Sequence, residues 1–134
     1  MGIFSKPEVI ILKESNSAKE YLELLEELLP KASEEIKSKI EKEIIIIKAG
    51  IAGENNILFE LKNSNMDMYV LQDIYIETED GRGAQIDFIV ITEKITFFIE
   101  CKNLVGNIDI DSKGNFVRTV TYGRKKYLFS NYTK

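Results

Sequence analysis

Between Gln85 and Lys102 the chain reads QIDFIVITEKITFFIECK, two β-branched and aromatic runs on either side of Glu93 and Lys94. Such a pattern dictates a buried β-hairpin, and yet Asp87, Glu100 and Lys102 stand among its core-forming residues. A two-residue loop at Glu93-Lys94 sets Asp87 opposite Glu100 and Gln85 opposite Lys102; a four-residue loop, Thr92 to Ile95, keeps that register. Loops of odd length would send the two acids to opposite faces. Opposed residues have Cβ atoms about 5 Å apart, and alternation puts Glu100 and Lys102 on one face with Cys101 on the other. Gln85, Asp87, Glu100 and Lys102 are therefore expected as one polar cluster at the end of an apolar sheet.

Carboxylates that close repel each other, and burying either one uncompensated is costly. Lys102 could compensate them, giving a structural ion-paired cluster. A hard divalent cation could also do so, because Mg²⁺ prefers oxygen ligands and accepts few carboxylates completed by water. Glu54 bears on the choice. It interrupts the apolar stripe Ile47, Ile51, Leu58, Leu61, at a spacing that points its side chain at the sheet with the hydrophobes. A third acid aimed at the same sheet makes a metal site more economical than separate structural accidents, with the ion-pair reading still open.

Composition narrows the chemistry. The 134 residues leave room for one domain, and 44% hydrophobic with 30% charged residues is the ordinary range of a soluble globular protein. The absence of histidine removes Ser-His and Cys-His nucleophilic catalysis and His-ligated zinc, and the single Cys101 excludes an internal disulfide framework. Any metal would be held by oxygen. The N-terminal MGIFSKPEVIILKES has a short apolar run before Lys13 and no small-residue cleavage site, so neither a signal peptide nor a membrane span is expected, and the protein is read as cytoplasmic. The net charge of −4 is unevenly spread: Lys113, Arg118, Arg124, Lys125, Lys126 and Lys134 follow Asp111 with no acid among them. That run reads either as a solvated surface or as a phosphate-contacting patch.

Ala18, Tyr21, Leu22, Leu25, Leu28 and Leu29 recur at helical spacing, with Asn16 or Ser17 able to cap the start. Pro30 suits the first turn of a second helix whose apolar face runs Ile36, Ile40, Ile44, Ile47, Ile51, Leu58, Leu61. Unbroken, it would be about 45 Å long at 1.5 Å per residue, long for so small a domain. Gly50 and Gly53 are expected to break it or to mark close packing on a sheet, and EIIII is read as helix rather than strand. From Tyr69 the pattern changes to strands: YVLQDIYIE, the loop TEDGRGA, QIDFIVI, ITFFIECK, then NIDI and FVRTVTY around the turn DSKGN. In the first loop, Gly81-Arg82-Gly83 reads as turn geometry, with Arg82 a candidate phosphate contact.

The segments IAGENNILFEL, RGAQIDFIVI and FFIECKNLVGNI, in that order, resemble the nuclease-related domain (NERD), a branch of the PD-(D/E)xK or restriction-endonuclease-like superfamily, over roughly Ile47 to Thr121. The resemblance implies an α/β (α+β) fold, a restriction-endonuclease-like core whose mixed central sheet of about five strands is flanked by helices. It implies residues 47–134 as the nuclease-related domain, preceded by an N-terminal helical segment, residues 1–46. It further implies a phosphodiesterase using Mg²⁺, with Mn²⁺ as substitute. Carried over by position, Glu54 is the helix acid, Asp87 the principal metal ligand, Glu100 the second ligand, Lys102 the catalytic lysine and Gln85 the polar neighbour. The backbone carbonyl of Cys101 is a further metal ligand, while its side chain is expected in the core, facing away from the cluster. Mg²⁺ held there would activate water and polarise the scissile phosphate, with Lys102 positioning that water or acting as its base. DNA is the expected partner and RNA the alternative, with Arg82, Arg118, Arg124, Lys125 and Lys126 as backbone contacts. Ile86 departs from the superfamily motif, which has proline before the aspartate. The chain also stops at SNYTK, before the crossover helix and last strand of such a core; a fragment, or a short form completed by self-association through the N-terminal helices or an exposed sheet edge, would account for that. A non-catalytic binding module on the same fold is the alternative function.

Overall fold

A computed structural model describes residues 6–104, 106–122 and 124–130. Lys134 of the basic run and the final NYTK fall outside them, as do the side chains of Lys125 and Lys126. The chain divides into two compact units, Met1–Asn103 and Leu104–Lys134.

The first unit opens with a strand, β1 (Val9–Lys13), formed by the short apolar run near the N-terminus. Helix α1 (Ser17–Leu28) follows, then a 3₁₀ turn Leu29–Lys31 and a long helix, α2 (Glu34–Lys62). Three strands complete it: β2 (Met68–Glu77), β3 (Gly83–Ile91) and β4 (Thr96–Ile99). They form a mixed sheet in the order β1-β2-β3-β4, with β1 parallel to β2 and the other pairs antiparallel. The mixed α+β architecture expected from the sequence is thus present, and β1 extends the sheet from a segment expected to be helical.

Residues Met68, Val70, Phe88 and Val90 make the core of this sheet, and Ile57, Leu58 and Leu61 of α2 pack on it with Val9, Ile11 and Ile99. That helix face is the one the apolar stripe predicted. The helix runs unbroken over 29 residues through both glycines and through EIIII. A lone glycine costs a helix only about 1 kcal/mol, too little to stop one held by a packed face. At Gly53 the helix lies close to the chain after β4: a Cβ there would sit 3.0 Å from Asn103 Cβ and 3.3 Å from Cys101 Sγ. Gly50 has open space around it. Pro30 lies in the 3₁₀ turn rather than in the first turn of α2, because the chain becomes extended at Ala32 before α2 starts.

The β2/β3 loop is a tight turn in which Gly81 takes φ +80° and its N–H donates to the Thr78 carbonyl at 2.9 Å. The β3/β4 hairpin turns through Thr92–Ile95, closed by Thr92 N–H on the Ile95 carbonyl at 2.9 Å. Its pairs run from Ile91 with Thr96 to Phe88 with Ile99, the register on which the placement of the acids depended.

The second unit is an antiparallel three-stranded sheet, β5 (Asn107–Ile110), β6 (Phe116–Tyr122) and β7 (Lys125–Ser130). The β5/β6 turn holds because Asp111 accepts the N–H groups of Lys113 and Asn115, while Gly114 takes φ +81°.

Candidate active site

The site lies where the β3/β4 ladder ends. After Ile99 the chain leaves the sheet for α2: the Asn103 side-chain amide donates to the Ala49 carbonyl at 2.8 Å, beside the close approach at Gly53. The Cys101 N–H donates to Asp87 Oδ2 at 2.7 Å instead of to a ladder carbonyl. This carboxylate therefore caps the parting strands, and so an acid can occupy a hairpin of apolar residues.

Glu100 and Lys102 come next. Lys102 Nζ donates to Glu100 Oε1 at 2.7 Å, with the two side chains 49% and 35% exposed. The hydrogen bond to Glu100, and then the negative charges of Glu100 and Asp87, raise the Lys102 pKa against the opposing effect of burial. Lys102 is accordingly a cation at neutral pH, able to attract phosphate or orient water.

Glu54 reaches the cluster from α2. Its carboxyl is raised above the usual carboxylate range chiefly by burial, and further by Asp87, Asp73 and Glu100, against a lowering by the Gln72 hydrogen bond. Gln72 Nε2 donates to Glu54 Oε2 at 3.2 Å. Asp87, Asp73 and Glu100 thus act together on Glu54, with Lys102 beside Glu100 and Lys13 beside Asp73 as the neighbouring cations.

Gln85 behaves differently. The ladder stops at Phe88 and Ile99, so no Gln85–Lys102 pair forms; Gln85 instead lies opposite Tyr75 on β2 and donates through Nε2 to Asp73 Oδ1. Cys101 turns its sulfur to the helix at Gly53 and is half-buried. Burial, then the charges of Asp87, Glu54 and Glu100, push its thiol up. Arg82 is exposed and forms an ion pair with Asp80 at 2.7 Å across the turn. Arg118, Arg124, Lys125 and Lys126 belong to the second unit, Arg118 and the two lysines on strands and Arg124 on the β6/β7 turn.

Two residues that the sequence reading did not single out join the site. Gln72 is 6% exposed, the one buried polar side chain of the described core. Asp73 sits within β2 at φ +57°, a conformation that costs a non-glycine residue about 1–2 kcal/mol. It accepts Ser15 Oγ at 2.6 Å and Ser17 Oγ at 2.9 Å, and these bonds, the Ser15 bond foremost, hold its carboxyl below the usual range. Ser17 is thus spent on Asp73, and Asn16, the N-cap of α1, makes no side-chain capping hydrogen bond. The adjacent polar pair Gln-Asp inside the apolar strand YVLQDIYIE was the available signal.

The donors present suit a hard cation: carboxylates and a backbone carbonyl, all oxygen. Among the described residues no three acidic or cysteine side chains are gathered closely enough to cage a metal ion. A hydrated ion such as Mg²⁺ keeps several waters and needs only one or two carboxylates.

No curated relative and no solved structure matches the chain. The sequence pattern described as the nuclease-related domain, NERD, matches residues 49–134, from the middle of α2 through the second unit. That match takes in Glu54, Asp87, Glu100 and Lys102 and covers more than half of the sequence, and the chain belongs to the nuclease-related domain family.

Proposed function

We propose that this protein is a Mg²⁺-dependent phosphodiesterase acting on DNA, with its reaction centre at the end of the β3/β4 hairpin. The observation that carries the reading is the pairing of Lys102 with Glu100 at 2.7 Å beside Asp87, which is itself fixed by the Cys101 N–H at 2.7 Å. Asp87 and Glu100 would hold the ion, with the Cys101 carbonyl as a third oxygen and Glu54 reaching it directly or through water. When bound, Mg²⁺ supplies water activation and charge neutralisation at a phosphate. The chain's own groups do the rest. Asp87 is anchored, so its orientation is set before substrate arrives. Lys102, held cationic by Glu100, attracts a phosphate oxygen and orients the attacking water by donating hydrogen bonds. Glu54, with its raised carboxyl, can accept a hydrogen bond from water or take up a proton more readily than an ordinary carboxylate. Arg118, Arg124, Lys125 and Lys126 supply positive charge for backbone contacts.

Plasmid and linear DNA incubated with the purified chain in Mg²⁺, Mn²⁺ or EDTA test this, beside Asp87→Ala and Lys102→Ala. Cleavage that needs metal and is lost in both variants is the expected result. Cleavage in EDTA, or cleavage undiminished in Asp87→Ala, would overturn it. A second reading, a non-catalytic nucleic-acid-binding module on the same fold, predicts DNA binding without turnover.

A further inference from the structure

The buried amide of Gln72 has both ends committed. The Ser15 N–H donates to its Oε1 at 3.3 Å, and its Nε2 donates to Glu54 Oε2 at 3.2 Å. A backbone N–H can only donate, so the amide oxygen must face Ser15 and the amide nitrogen must face Glu54. At 6% exposure the group is buried. Ser15 is itself fixed from its other side, because its hydroxyl donates to Asp73 Oδ2 at 2.6 Å. Consecutive residues of β2 therefore grip the β1/α1 junction, and through Gln72 that grip ends on the Glu54 carboxylate.

We infer that Gln72 is a positioning residue, which sets the orientation of Glu54 for the reaction and makes the β1/α1 junction part of the active-site support. Glu54 lies on a helix, where its long side chain could sweep several rotamers along the cleft it shares with Asn55, Leu58 and Gln72. A single buried donor from β2 selects one of them. Partners that orient a catalytic carboxylate in this way commonly matter for activity by about 10–100-fold when removed. The inference rests on the proposed phosphodiesterase reading for its kinetic consequence, and on the amide geometry for its physical content.

The test uses the whole chain, with Gln72→Leu, Gln72→Glu, Glu54→Gln and the Gln72→Leu/Glu54→Gln double variant. In metal-dependent DNA cleavage, Gln72→Leu is expected to lower kcat about tenfold or more with little change in KM. It should cause no further loss in the Glu54→Gln background, because Gln72 acts through Glu54. Additive losses would overturn the inference. In parallel, the assigned Gln72 side-chain amide resonances of the wild type are compared with those of Glu54→Gln. A clear displacement is expected, and resonances indifferent to Glu54 would overturn the inference whatever the cleavage result. If the wild type cuts no DNA, the phosphodiesterase reading fails, and the amide resonances alone then decide whether Gln72 holds Glu54.

Discussion

Asp73 on β2 and Asp87 on β3 stand opposite in register at the one position between Tyr69 and Glu77 where the two strands make no pair. The ladder resumes in the same register on either side, with Gln72 opposite Phe88 and Ile74 opposite Ile86. Like charges opposed in a sheet repel, and each carboxylate finds another partner: Asp73 the hydroxyls of Ser15 and Ser17, Asp87 the N–H of Cys101. The left-handed backbone of Asp73, at φ +57°, accompanies that separation.

Asp73 should therefore be sensitive to two different losses. Asp73→Ala removes the serine bonds and leaves a Cβ in a left-handed conformation; Asp73→Gly removes the bonds only. Urea unfolding is expected to find the glycine variant more stable than the alanine variant by about 1 kcal/mol. Equal stabilities would mean that the backbone relaxes freely.

Glu54 should make stability depend on acidity. Its folded pKa is raised above the ordinary 4.5, chiefly by burial, so between 4.5 and the folded value the native state binds more protons than the unfolded chain. Stability contributed by this group accordingly falls as pH rises through that window. Glu54→Gln is expected to raise the unfolding midpoint at pH 7, with an advantage that shrinks towards pH 4. A constant difference across the series would contradict this.

Substituting the glycines of α2 should separate helix propensity from packing. Gly50→Ala meets nothing within 4 Å and is expected to stabilise the protein by about 0.5–1 kcal/mol. Gly53→Ala gains the same propensity but presses on Asn103 Cβ at 3.0 Å and Cys101 Sγ at 3.3 Å. It should fall short of Gly50→Ala by about 1 kcal/mol or more, as overpacking does, in the same denaturation assay.

Lys102→Arg tests whether charge alone is sufficient. The lysine is held as a cation by Glu100, so a role in attracting phosphate predicts measurable cleavage in Lys102→Arg, and at least about 100-fold less than wild type in Lys102→Ala. Loss of equal size in both variants would instead point to the compact ammonium as the element required.

Neutralising Arg124, Lys125 and Lys126 together should weaken DNA binding more at low salt than at high salt. For each phosphate contact removed, the slope of log affinity against log salt is expected to decrease by about 0.7–0.9. Fluorescence anisotropy across a salt series measures it, and an unchanged slope would leave these residues as a solvated surface.

What the sequence by itself determined is local. Alternation along QIDFIVI and ITFFIECK, with a turn of even length, gives the pairing of Phe88 with Ile99, and the helical stripe containing Leu58 and Leu61 gives the face that packs on the sheet. Both follow from side-chain period alone, which is set by the backbone geometry of each element. Tertiary structure decided where those elements stop and which polar groups meet. β4 ends at Ile99 where Asn103 is bound to the Ala49 carbonyl of α2; Gln85 turns to Asp73; Gln72 joins Ser15 to Glu54. Each of these is a bond between distinct elements of the fold. A polar group pairs with whatever partner the fold brings within reach, and must do so where it is buried, as at Gln72; no periodicity in the chain announces which group that will be.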